Sequence, residues 1–173
     1  MRQTTAPMSF VVRLVTTFIL VLTAGFIVVA LRQPASWIPA GILVAVTLFC
    51  YALAPVGYAL EEGPGARLIV YTRVHEKEFA PVVRCRTIES LEPSPSRFGI
   101  RLFGNGGLFA GTGIFWNRTL GVYRAYVTSG RRADLVLVET PKQKIVISPD
   151  NPRLFVQSWK AHADANSTRL VES

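Results

Sequence analysis

The residues of this chain best suited to ligand chemistry are basic and closely spaced. Arg84 and Arg86 flank Cys85, and a strand, whose side chains alternate between faces, puts both guanidinium groups on one side. Arg73 and His75 share a face in the same way, and Lys77 follows two residues on. Guanidinium groups grip phosphate or carboxylate through paired N–H donors, and an ammonium adds a compact point charge. The chemistry expected of Arg73, Lys77, Arg84 and Arg86 is therefore contact with an anion, foremost the headgroups of an anionic lipid leaflet. The plain alternative is a half-exposed strand of a basic domain, in which such pairs are ordinary.

Other candidates reduce to structure. Gly104-Asn105-Gly106-Gly107 has the glycines of a phosphate loop, but no Gly-Lys-Ser/Thr follows and no helix begins there to hold an anion at its N-terminus. Asn-Gly is a tight-turn signal, so the four residues are expected to form a structural turn. His75 and His162 lack partners at metal-ligand spacing, and Cys50 and Cys85 lack a CxxC context. Glu61-Glu62 reads as a solvated helix end, and no Ser/His/Asp or Cys/His constellation has a local signature. No catalytic residue, metal site or cofactor is expected, and the protein is read as no enzyme. The net charge of +8 falls to +5 from Glu61 onward, with 16 basic against 11 acidic residues and no Lys/Arg-rich run. Nucleic acid is not an expected partner.

Two long apolar segments must position these residues. Residues 9–31 contain Leu14–Leu31, 18 residues without a charge, which nearly cross a hydrocarbon core as a helix. Arg13 lies one turn from the start, where its side chain reaches the headgroups. A signal peptide is the competing reading, but the segment is long, no A-x-A site follows, and a second apolar run begins six residues later. That run, 37–60, carries Trp37 and Tyr58 as belt residues and Pro55 as a site of kinking. Ala24-Gly25 and Gly41-x-x-x-Ala45 are small pairs that permit close helix packing. Arg2, Arg13, Arg67, Arg73 and Lys77 flank one side, against Arg32 alone in the 32–36 connection. By the positive-inside rule the expected protein is two-pass, with residues 1–8 and the C-terminus cytoplasmic.

A linker is expected at 61–66, followed by a domain at 67–163 and a frayed polar tail at 164–173. Strand patterns cover 67–74, 78–88, 98–103, 108–116, 121–128, 135–140 and 144–148, about seven strands separated by Gly, Pro, Asn and Ser. The short gaps imply antiparallel connections. One helix follows, capped by Asp150 or Asn151 with Pro152 in its first turn, and Phe155 and Trp159 share its inner face.

Arg101-Leu-Phe-Gly-Asn-Gly-Gly-Leu-Phe109, Gly113-Ile-Phe115, Gly121-Val-Tyr-Arg-Ala-Tyr-Val-Thr128, Leu135-Val-Leu-Val-Glu-Thr140 and Ile145-Val-Ile-Ser-Pro-Asp-Asn-Pro-x-x-Phe155 together resemble the bacterial PH domain family over 67–160. The resemblance implies a mainly-β PH-like barrel with a C-terminal capping helix, beside one or two membrane helices. The resemblance supplies a fold more than a function; with no catalytic constellation beside it, the expected protein is a non-enzymatic one of the bacterial inner membrane that presents a cytoplasmic PH-like domain to lipid headgroups or to a protein partner. The alternative is an accessory or assembly subunit of a membrane transporter or enzyme complex. The basic set at Lys77, Arg84 and Arg86 superficially echoes the pattern by which eukaryotic PH domains hold inositol phosphates.

Overall fold

A computed structural model describes residues 2–61, 66–90 and 99–171. Within them the chain forms a strand β1 (Arg2–Thr4), two helices α1 (Phe10–Arg32) and α2 (Trp37–Leu53), and then strands β2 (Pro55–Glu61), β3 (Arg67–Thr72), β4 (Glu76–Phe79) and β5 (Arg84–Thr87). Strands β6 (Ile100–Gly106), β7 (Gly111–Asn117), β8 (Gly121–Val127), β9 (Val136–Glu139) and β10 (Lys144–Ile147) precede a last helix, α3 (Pro152–Val171). The mainly-β domain with a C-terminal helix is as expected, but the described residues form ten strands in two sheets. Four are ordered β1-β2-β3-β4 and six are ordered β5-β9-β10-β8-β7-β6.

Three boundaries differ from the sequence reading, each for a physical reason. The second helix stops at Leu53 and does not reach residue 60, because Pro55 offers no N–H to continue it. Residues 55–61 pair as a strand with β3, so the domain begins before residue 67. The expected N-terminal stretch 1–8 is tied down from its second residue: Arg2 pairs with Ala59, Gln3 with Tyr58 and Thr4 with Gly57. Of the expected linker, Glu61 ends β2 and Ala66 packs on the core, while 62–65 lie outside the described residues. The helix α3 continues through most of the stretch expected as a tail. Pro81 divides the expected 78–88 strand into β4 and β5, since it cannot give a ladder hydrogen bond.

Antiparallel pairing holds throughout except between β8 and β10, which run parallel. The connection from β8 to β9, with its short 3₁₀ turn at Arg132–Asp134, is long enough to step past one strand position. The β9–β10 hairpin then folds back and lays β10 beside β8. No crossover helix is needed, because β9 itself makes the return.

The two sheets face each other across a core of Tyr58, Leu60, Leu68, Val70, Phe79, Val136, Val138, Ile145 and Ile147, closed at one end by Phe155 and Val156 of α3. Asn151 caps that helix, accepting a bond from the Leu154 N–H at 3.2 Å. Asp150 is not the cap; its backbone N–H donates to the Thr4 carbonyl at 2.9 Å, tying the N-terminal strand to the start of α3. Trp159 packs on the core beside Phe155. Tyr58 is fully buried, donates its hydroxyl to the Tyr126 carbonyl at 2.6 Å and accepts from the Ser148 N–H at 3.4 Å. One side chain thereby fastens the four-stranded sheet to the six-stranded one.

The glycine cluster is displaced from its expected role. Gly104, Asn105 and Gly106 lie within β6, and only Gly107 enters the turn. Asn105 closes that turn with its side chain, accepting from the Leu108 N–H at 3.1 Å and donating to the Leu108 carbonyl. Gly104 (φ 113°) faces Gly113 (φ 141°), and a Cβ on Gly113 would lie 2.1 Å from the Phe103 carbonyl oxygen. The pair is glycine because two backbones meet there.

Tyr58→Phe is expected to destabilise the protein by about 1–3 kcal/mol in chemical denaturation, because it leaves a buried carbonyl and a buried N–H without their shared partner. A loss below the error of the fit would show that the hydroxyl does not join the sheets. Burial pushes the Cys85 thiol from 9.0 up to about 12 and the Tyr123 phenol from 10.0 up to about 12, and drives the Tyr58 phenol well above its usual range. Raised acids favour the folded state below their unfolded pKa, and that contribution is lost as pH rises through the folded value. Stability should therefore be level to about pH 9 and fall steadily toward pH 12 in thermal melts; a flat profile through pH 12 would contradict this burial.

Candidate functional site

The alternation of each strand decides which basic residues can act together. Across the six-stranded sheet, Cys85 pairs with Val138, Val138 with Ile145, Ile145 with Arg124, Arg124 with Ile114 and Ile114 with Phe103. All six therefore project from one face, the face turned to the other sheet. Cys85, Val138 and Ile145 are buried core, but Arg124 onward stands where the opposing sheet no longer covers it. On the four-stranded sheet the matching row is Tyr58, Val70 and Lys77. Its first two members are core and Lys77 is the open end.

Between these two open ends lies a cleft of about 550 Å³. Lys77 and Arg124 stand on its opposite walls, with His75 at the turn after β3. Phe103 and Ile114 form its sheet side, and Phe49, Cys50 and Leu53 from the last turns of α2 form the other. Such a volume, with an apolar lining and a few convergent polar groups, is typical of small-ligand sites. Lys77 Nζ lies 3.5 Å from the Tyr126 hydroxyl and 5.5 Å from the centre of its ring. His75 is fixed by Thr72, whose hydroxyl donates to the His75 carbonyl at 2.7 Å. None of the ion pairs among the described residues involves Lys77 or Arg124.

The four cations expected to work together are divided. Lys77 alone lines the cleft. Arg84 and Arg86 project from the other face of the six-stranded sheet, since Cys85 between them points into the core, and both engage Glu139 at 3.7 and 3.4 Å. Arg73 leaves the strand face altogether and lies over the Tyr51 ring of α2, 4.2 Å from its centre. Its role is to clamp helix to barrel. Arg124 was not among the expected residues. Its alternation with Val122 and Tyr126 is readable in the sequence, but which of the two faces is inner depends on the opposing sheet.

The helix pair and the barrel meet along the turn between β6 and β7. The Phe109 N–H donates to Thr16 Oγ1 of α1 at 2.9 Å, and its ring meets Tyr51 of α2 edge-on at 5.2 Å. Phe109 holds a left-handed backbone, φ 63°, which costs a β-carbon-bearing residue about 1–2 kcal/mol and is held by these two contacts. The helices themselves pack along Thr16, Thr23 and Ala30 of α1 and along Ala40 and Thr47 of α2, all buried. These are small residues at seven-residue spacing. Gly25 and Gly41, expected at the contact, face open space. Thr23 and Thr47 satisfy their hydroxyls on the carbonyls four residues back, Ile19 and Leu43. The rest of the helix surface leaves large apolar side chains exposed, Phe18, Ile38, Ile42 and Phe49 among them.

Among the described residues no group of three or more His, Cys, Asp or Glu gathers as a metal site would require. Cys50 and Cys85 are free thiols, one on the cleft wall and one in the core. A small maleimide should give one adduct per folded chain, at Cys50, and a second only in denaturant. Two adducts without denaturant would show that the core at Cys85 is open.

A family model described as Bacterial PH domain matches residues 70–163, more than half of the chain. No curated protein and no solved structure matches it.

Proposed function

The chain belongs to the bacterial PH domain family, and we propose that it is a non-enzymatic, two-pass protein of the bacterial inner membrane. Its PH-like barrel sits in the cytoplasm and binds its ligand, a lipid headgroup or a protein, against the inner leaflet. The observation that carries this reading is the insertion of the α1–α2 pair between two directly paired strands, β1 and β2. Chain enters and leaves the helices at the same edge of the barrel, so anything that holds the helices holds the cleft beside them.

Length and composition support a membrane for the helices. One helix, Phe10–Arg32, is long and apolar enough to cross by itself, at about 34 Å for 23 residues. The other, Trp37–Leu53, has 17 residues, or about 25 Å. The β6–β7 turn covers α1 as far as Thr16, and from Thr16 to Arg32 is again about 25 Å. The last turn of α2 is likewise held against the strands, through Tyr51 and the cleft wall at Phe49, Cys50 and Leu53, so the free apolar length of the pair falls short of a typical core, a mismatch that bilayers accommodate by thinning. The barrel then rests on the headgroups with the β6–β7 turn among them. Arg2, Arg13, Arg67, Arg73 and Lys77 lie at the barrel end and Arg32 at the far end, as the positive-inside rule requires for a cytoplasmic barrel.

Reporter fusions test the arrangement. A fusion after residue 34 should report the periplasm and one at the C-terminus the cytoplasm, with the protein resisting alkaline carbonate extraction. The reverse orientation, or release by carbonate, would overturn the anchor.

A further inference from the structure

We propose that the cleft holds one anionic phospholipid, with its phosphate between Lys77 and Arg124 and its acyl chains leaving along Phe103 of the barrel and Phe49 of α2. This rests on the membrane reading above and names the ligand of that site.

Charge selects the headgroup. The ionisable side chains that line the cleft include His75, Lys77 and Arg124, and among the described residues no aspartate or glutamate lines it. The neighbouring acids point away: Glu76 and Glu78 alternate with Lys77 to the outer face of β4, where Glu78 pairs with Arg67 at 3.7 Å. Glu139 is on the outer face of the other sheet, taken by Arg84 and Arg86. A guanidinium and an ammonium that line one cleft from two sheets, neither of them in an ion pair among the described residues, are complementary to a phosphate diester.

The apolar wall selects the rest of the molecule. A free anion would be held by the cations and by the polar groups beside them, Thr72, Asn105, Thr112 and the Tyr126 hydroxyl, but it would leave Leu53, Phe103, Ile114 and Phe49 of the same lining uncovered. Phe103 is 76% exposed and Phe49 65% exposed. Two phenyl groups standing open at the mouth of a cationic cleft, one on the barrel and one on the helix, are the surface that acyl chains cover. The volume of about 550 Å³ admits a headgroup and the first carbons of its chains, and the remainder lies along the apolar helices. The mouth therefore faces the one source that presents phosphate and hydrocarbon together at that level.

The test uses the full chain, purified in a neutral mild detergent and titrated by native mass spectrometry. The probes are phosphatidylglycerol, phosphatidylcholine of the same chains, and glycerol 1-phosphate as the soluble headgroup. One phosphatidylglycerol should bind per chain, at least about tenfold more tightly than phosphatidylcholine, and the double variant Lys77→Gln/Arg124→Gln should lose at least about tenfold, the scale of lost charge-assisted hydrogen bonds. Arg84→Gln/Arg86→Gln removes the same charge from the other sheet face and should change binding by less than about twofold, as for surface charges. Should the first pair fail to fold, Ile114→Trp fills the cleft from a half-exposed position and must weaken binding as much. Equal binding of phosphatidylcholine, full binding by the cleft variants, glycerol 1-phosphate binding as tightly as the lipid, or no binding at all would each overturn the proposal. The titration in detergent does not depend on topology, so failure of the anchor appears separately, in the fusion and carbonate assays.

Discussion

The pairing of Arg2, Gln3 and Thr4 with Ala59, Tyr58 and Gly57 fixes where both ends of the helix pair must be, and the rest of the arrangement depends on it. Between those partners the chain leaves the barrel, runs out through α1 and returns through α2. Two antiparallel helices deliver their ends side by side, at about the 8–10 Å of helix packing, and adjacent strands are separated by about 4.8 Å. The helix pair is thus an enlarged turn of a β-hairpin. Further bonds secure the seam: the Ala6 N–H donates to Ser148 O at 2.8 Å, the Thr128 hydroxyl donates to Ala6 O at 2.5 Å and the Ser9 N–H donates to Thr128 O at 3.2 Å. The N-terminal strand contacts both sheets, and so links the barrel's two halves at the point where the helices depart.

From that constraint follows the contrast between the two ends of the barrel's interior. At the α3 end the rows of inward side chains are entirely apolar and close on Phe155. Toward the helix pair the same rows pass from core to Lys77 on one sheet and to Arg124, Ile114 and Phe103 on the other, because α2 and the β6–β7 turn stand off far enough to leave a cleft. A buried, unpaired charge costs several kcal/mol, so cations at the end of a core row are tolerated only where solvent or a counter-charge reaches them. The core thus grades into a site along the same strands, with a register shift between Arg101 and Phe103 at its far edge.

Much of this was legible in the sequence, and the parts that were not share a cause. The strands of 121–127, 136–139 and 144–147, the cap at Asn151 and the buried Phe155 followed from local pattern. The resemblance of the ordered motifs between Arg101 and Phe155 to the bacterial PH domain family is borne out by the family match over residues 70–163. The second apolar run was read seven residues too long because Val56–Leu60 is as apolar as the helix before it. Hydropathy does not separate a membrane helix from a strand buried on both faces; Pro55 marked the boundary and was taken for a kink. The strand at 2–4 was invisible, since its only argument is a partner more than fifty residues away. For the same reason spacing grouped Arg84 and Arg86 with Lys77. Alternation says which residues share a face of one strand, but only the opposing sheet says which face is inner.

The order of these elements also bears on how the barrel closes. Joining Arg2 to Ala59 through a flexible chain would carry the closure entropy of a loop of more than fifty residues, which grows as the logarithm of length. An antiparallel α1–α2 pair lowers that cost, because it brings residue 9 and residue 54 close together without any strand pairing. The helices thus favour the pairing that attaches them. Tyr58 lies on the strand that pairing completes, and its hydroxyl reaches Tyr126 and Ser148 only when both sheets are in place. Seating of the helices, closure of the seam and joining of the sheets are therefore coupled through β2, and the cleft between Lys77 and Arg124 exists only in the structure where all three have occurred.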